Sequence, residues 1–226
     1  MWTIVKKEVK TYFSSPIGYI FIGLFLIMCS IFFYQDVVQT GLTNFSYMFF
    51  SVSTILTFIV PVLTMRMFAE ERKNGTEQLL FTSPRSIPSI VLGKFFSASL
   101  IVVITEAFTF LYFIILLFFG KPQLSSALVT MLGFLLLAMS YISFGMFASS
   151  LTENQIIAGI LTIAFFIVIW FMPYFYNSLA AFSPLFIFDN FANGVIYLKD
   201  VIFFVSFILL FILLTIIVLQ RRKRVK

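Results

Sequence analysis

Side chains that could move protons, hold metals or attack a substrate are few in this sequence. Two glutamates stand side by side at Glu70 and Glu71, followed by Arg72, Lys73 and Glu77. A Glu–Glu pair at a membrane rim suits metal-assisted hydrolysis, but such sites also draw on His ligands, and the chain has no His. Cys29 is the single cysteine, so neither an intrachain disulfide nor a paired-cysteine metal site can form. Lys94 follows Gly93, yet Pro88 and Phe95 break the Gly-x4-Gly-Lys-Ser/Thr pattern that cradles nucleotide phosphates. The expectation is a chain with no catalytic residues, no cofactor and no metal of its own.

The elements that position these few polar residues follow from composition. Of 226 residues, 61% are hydrophobic and 11% charged, with 33 Phe. Soluble domains run at about 45–50% and about 25%. A helix crossing a bilayer needs roughly 20 mostly apolar residues, because every backbone group in lipid must bond internally. Six runs qualify, at about 17–34, 46–68, 90–119, 125–149, 155–172 and 200–219. None alternates with the period of two that marks a membrane barrel. The sequence therefore predicts an all-α membrane protein, a single domain over 1–226. The first run is too long for a signal-peptide core and lacks a small-x-small cleavage site, so it reads as a retained span.

Thirteen of the fifteen basic residues fall before the first span, between or at the facing ends of the second and third, or after the sixth; Lys121 and Lys199 are the others. The positive-inside rule then predicts a multi-pass protein of the cytoplasmic (inner) membrane with both termini cytoplasmic. The basic tail from Arg221 reads as an anchor against anionic lipid rather than a nucleic-acid site.

Residues 1–14 place Trp2, Val5, Val9, Tyr12 and Phe13 on one helical face, with Lys6, Lys7 and Lys10 beside it. That pattern fits an amphipathic helix lying in the membrane interface, against the plainer alternative of a cytosolic lead-in. Between the second and third spans, Asn74-Gly75 reads as a helix end and a new start. Asn74 or Thr76 can cap the next helix, Leu79, Leu80 and Phe81 give it an apolar side, and Pro84 stops it. Such a short helix suits docking to a soluble partner, or is an interfacial turn with none. On the other side, residues 173–199 carry Tyr174, Phe175, Tyr176, Phe182, Phe186, Phe188, Phe191 and Tyr197. They predict short outer re-entrant or interfacial helices, or simply an aromatic belt.

Within the spans, Glu106 is the one deeply placed ionisable residue. It reads as a clamp bonded to a neighbouring hydroxyl, with a pathway or proton-coupling role as the alternative. Ser51, Ser53, Thr54, Thr57 and Thr64 make the second span comparatively polar, for helix packing or, alternatively, to line a pathway, and Pro61 should kink it. Gly145 and Ser149 form a small-xxx-small pair in the fourth.

The stretch PVLTMRMFAEERKNGTEQLLFTSPRSIPSIVLGKF, Pro61 to Phe95, resembles the signature region of the ABC type-2 permease family. KKEVKTYFSSPIGYIF near the start, FGMFASSLTENQIIAGIL at 144–161 and SPLFIFDNFANGVIYLKDVIFF near the end agree with it. Together they look most like the gliding-motility-type permease subunit. The resemblance implies one six-helix half of a two-permease, two-ATPase exporter, paired with a second copy or a related permease. A separate ABC ATP-binding subunit would carry ATP and Mg, and a periplasmic substrate-domain protein is a further implied partner beside the lipid bilayer. The family's cytoplasmic coupling helix falls on Glu70, Glu71, Arg72, Gly75, Thr76 and Glu77. A second cytoplasmic contact falls on Thr152, Glu153 and Asn154, and the pathway on the second and fifth spans. Two rivals stand beside transport: a membrane anchor that passes ATPase-driven force to a periplasmic partner, and an ATP-independent secondary transporter.

Overall fold

A computed structural model describes residues 1–39, 45–82, 85–175 and 177–225. The side chains of Leu80 and Phe81, and residues Ser83, Pro84, Tyr176 and Lys226, lie outside the described residues. Every regular element among the described residues is a helix. Helix α1 (Trp2–Ser14) is followed at Pro16 by α2 (Pro16–Phe32), where the proline sits in the first turn and its missing N–H costs nothing. A π-helical turn (Phe33–Val38) extends α2. Then come α3 (Phe45–Thr64), the short α4 (Ala69–Lys73) and α5 (Glu77–Thr82), and the long α6 (Ile87–Phe119). Helices α7 (Leu124–Leu151) and α8 (Gln155–Phe175) follow. A 3-10 turn (Asn177–Phe182) leads to α9 (Pro184–Ala192) and α10 (Leu198–Val225). Six of these stretches are long and apolar enough to cross a membrane.

Two helices are central. In their most apolar windows α3 and α7 are 61% buried, against 28% for α2, α8 and α10. Helix α7 touches α3, α6, α8, α9 and α10. Lipid tails are as apolar as side chains, so packing rather than water exclusion joins such helices, and wide flat rings serve that well. Phe134 of α7 meets Phe25 of α2 at 5.6 Å, Phe49 of α3 at 4.9 Å and Phe188 of α9 at 6.0 Å, all edge-on. At the other end of α7, Phe144 stacks on Phe165 of α8 at 3.7 Å and meets Phe211 of α10 edge-on.

Helix α1 lies along α6, where Gly93 leaves room for Ile4: a Cβ there would come within 2.6 Å of its methyl. Val5 and Tyr12 are buried while Trp2, Lys6, Lys7 and Lys10 stay exposed. Helices α1, α4 and α5, the α7–α8 junction and the end of α10 all gather at one end of the bundle, joined by ion pairs. Pro61 sits inside a continuous α3, and the chain leaves helical geometry only at residues 65–68.

Candidate functional site

The charged end holds the polar residues that the sequence singled out. Helix α4 carries Glu70, Glu71 and Arg72, whose side chains leave in three directions. Both carboxylate oxygens of Glu70 accept from Arg66, at 2.6 Å from Nε and 2.7 Å from Nη2, so a bidentate pair ties the break at 65–68 to α4. Glu71 Oε1 accepts from Lys94 Nζ of α6 at 2.9 Å. That ammonium also lies 3.2 Å from Glu8 Oε2 of α1 and 5.4 Å from the Phe68 ring centre. Arg72 Nη2 lies 2.7 Å from Glu153 Oε1, and its Nη1 donates to the Leu151 carbonyl at 3.3 Å. In α5, Glu77 Oε1 accepts from Arg222 Nη1 of α10 at 2.7 Å, while Arg222 Nη2 donates to the Ser150 carbonyl at 2.7 Å. Each charged member of the sequence-derived coupling set is thus paired within the chain. The pairs tie α4–α5 to α1, α6, the α7–α8 junction and α10.

What the segment presents outward is its turn. The Asn74 N–H closes α4 onto the Glu70 carbonyl at 3.0 Å. Gly75 follows with φ +71°, a left-handed conformation that favours glycine. The Thr76 hydroxyl donates back to the Glu71 carbonyl at 3.1 Å, and Glu77 turns to Arg222. Lys73, Asn74, Gly75, Thr76, Gln78 and Leu79 are exposed, Leu79 at 71%. Behind the turn, Lys7, Thr11, Tyr12, Arg66 and Lys94 help line a cavity of about 250 Å³ between α1 and α4. Burial, and after it the charge of Glu8, hold the Tyr12 phenol well above its ordinary pKa, so it stays a donor. It donates to the Leu63 carbonyl at the end of α3, 3.3 Å away.

The second loop joins the first through Arg72 and Glu153. Thr152 and Asn154 serve the backbone instead. The Thr152 hydroxyl accepts the Asn154 N–H at 3.1 Å, and Asn154 Oδ1 accepts the Ile156 N–H at 2.9 Å, capping α8. The intramembrane residues are not gathered into one place. Thr54, Thr57 and Pro61 share α3, where Thr57 and Pro61 are buried and Thr54 is half-buried. Glu106 stands on α6, buried, with Oε1 lacking a hydrogen-bond partner among the described residues. A clamp from that oxygen to a neighbouring hydroxyl is therefore absent among them.

Sequence reasoning passed over Glu8, Lys94 and Arg222. A signal existed for two of them. Glu8 falls between Val5 and Tyr12 on the apolar face of α1, and Lys94 lies on the stripe Ile87, Ile90, Ala98, Ile101 of α6. An acid and a base on apolar faces call for each other, because an unpaired buried charge is costly. Arg222 is hidden within a run of four basic residues, Arg221 to Arg224.

Among the described residues no group of His, Cys, Asp or Glu is arranged to hold a metal ion. A family model described as ABC-2 family transporter protein matches residues 2–223. Among curated proteins none matches the chain.

Proposed function

The chain belongs to the ABC-2 transporter family, and from that membership we propose that it is the permease half of an ATP-driven exporter, moved by a separate ATP-binding subunit docked at its charged end. The single observation that carries this reading is the family match over nearly the whole chain. Membrane chains of this family are transport subunits and not themselves catalytic, so hydrolysis of Mg-ATP falls to the partner. The basic residues gathered at one end support an orientation with α1, α4, α5 and the end of α10 in the cytoplasm, in an inner membrane. The stretches near both ends of the chain support a place near the gliding-motility-type branch. A second permease, identical or related, completes the pathway.

In this reading α4–α5 is the coupling element, and its parts divide the work. The exposed turn from Lys73 to Leu79 meets the ATPase. Glu70, Glu71, Arg72 and Glu77 pass the push inward through Arg66, Lys94, Glu153 and Arg222. Anchors in the 65–68 break, on α6, in the α7–α8 junction and on α10 make the segment move with the bundle rather than bend alone. Its displacement reaches α3, the long helix directly before it, and α3 and α8 shift between two packings that open the pathway toward either side.

The test is an assembled complex carrying Glu71→Lys and Glu77→Lys together. Both changes set like charges against Lys94 and Arg222, so ATPase binding or ATP-driven transport should be lost. Unchanged assembly and transport in that double variant would overturn the coupling assignment. ATP turnover that drives no solute in reconstituted vesicles would point instead to a force-transmitting anchor.

A further inference from the structure

Helix α3 ends at Thr64 and α4 starts at Ala69. The break between them frees backbone groups that are buried and must find partners. One hydroxyl supplies three bonds. Ser149 Oγ, on α7, accepts the N–H of Phe68 at 3.0 Å and of Ala69 at 3.1 Å, and donates its own proton to the Met65 carbonyl at 2.9 Å. Gly145, one turn earlier on α7, makes the approach possible, since a methyl there would run into the side chain of Thr64. From the α1 side, Tyr12 holds the Leu63 carbonyl.

A buried serine in a membrane helix ordinarily returns its proton to its own helix. Ser53, Ser97, Ser99, Ser140, Ser143 and Ser150 each do so, to a carbonyl three or four residues earlier. Ser149 instead commits its proton and its acceptor capacity to another segment, on both sides of the break.

We propose that Ser149 is a positioning residue that pins the hinge between α3 and the coupling element, fixing the angle at which the push on α4 becomes a tilt of α3. The transport consequence rests on the coupling role proposed above; the pin itself does not. Without the hydroxyl, α4 stays anchored by its ion pairs but slips relative to α3, and the stroke is dissipated at residues 65–68.

The experiment has two arms, each run on the wild type, Ser149→Ala and Ser149→Thr. The first is amide hydrogen exchange at Phe68 and Ala69 in the purified chain, which needs no ATPase. Loss of the acceptor should speed exchange at those two amides roughly tenfold or more while amides in mid-α7 are unchanged. The second uses spin labels at Tyr47→Cys on α3 and Leu128→Cys on α7, both exposed positions. In the complex with its ATP-binding subunit, Mg-ATP should change their separation in the wild type and in Ser149→Thr, but not in Ser149→Ala, while the ATPase remains bound. Unchanged exchange in Ser149→Ala overturns the pin. Faster exchange with an undiminished movement of α3 overturns its positioning role. A wild-type chain that recruits no ATPase overturns the coupling reading and with it the second arm, an outcome told apart because the first arm still reads the pin.

Discussion

Replacing Lys94 with methionine keeps the length of the side chain and removes one ammonium. In the native chain that ammonium is 2.9 Å from Glu71 Oε1 and 3.2 Å from Glu8 Oε2, and the Lys94 side chain is only 4% exposed. The Glu8 and Glu71 side chains are 13% and 19% exposed, so neither can turn fully to water. Lys94→Met leaves them facing each other with only the largely exposed Lys7, 3.9 Å from Glu8 Oε1, beside them. Breaking a buried pair by removing one partner costs about 3–5 kcal/mol. The residual exposure of both acids places this case near the lower end, at about 3 kcal/mol. For a chain of this size each kcal/mol shifts Tm by roughly 2–4 °C, so the midpoint should fall by about 6–12 °C. Adding Glu8→Gln and Glu71→Gln should restore most of the loss, because the cost lies in the stranded charges and not in the missing bonds. The assay is thermal unfolding of the purified protein in one detergent, with limited proteolysis at the Gly75 turn as a local readout. A midpoint for Lys94→Met within about 2 °C of the wild type would refute the reasoning, given that scaling. So would a triple variant as unstable as the single one.

The other ion pairs should separate by burial. Arg72→Ala should cost only about 0–1 kcal/mol, because Glu153 is 59% exposed and the pair is screened. Glu77→Ala should cost about 2 kcal/mol, because it removes the carboxylate from Arg222, whose side chain is only 18% exposed, and the swap Glu77→Arg with Arg222→Glu should recover part of it in the same melting assay. Gly75→Ala should cost about 1–2 kcal/mol from its left-handed backbone alone. Nothing lies within 4 Å of the added methyl, so Gly75→Asn, which tolerates that conformation, should be milder in a side-by-side melt.

The six-helix plan was legible because a bilayer imposes length and apolarity on each span separately. No long-range information is needed to see a run such as 90–119. The break in the second span was less legible. Pro61 drew attention to itself, yet α3 passes through it, and the chain turns at residues 65–68, where Ser149 receives the freed amides from 81 and 80 residues away in sequence. The acids of α4–α5 were legible as a charged, turn-forming segment. Their partners were not. Arg222 pairs with Glu77 across 145 residues, and nothing in a basic tail distinguishes the one arginine that folds back from its neighbours. The result alters what the acids are for: they face inward as anchors, and the exposed tip around Gly75 and Leu79 faces out.

The central claim is that this tip meets an ATP-binding subunit. A photo-crosslinking residue at position 79, where Leu79 is 71% exposed, reads it directly; position 118, where Phe118 is 86% exposed at the opposite end of the bundle, is the control. In membranes of cells making the full transporter, the account predicts a crosslink from 79 to a protein with an ATP-binding domain, altered by Mg-ATP, and none from 118. No ATP-binding protein at 79, or equal capture from both positions, contradicts it.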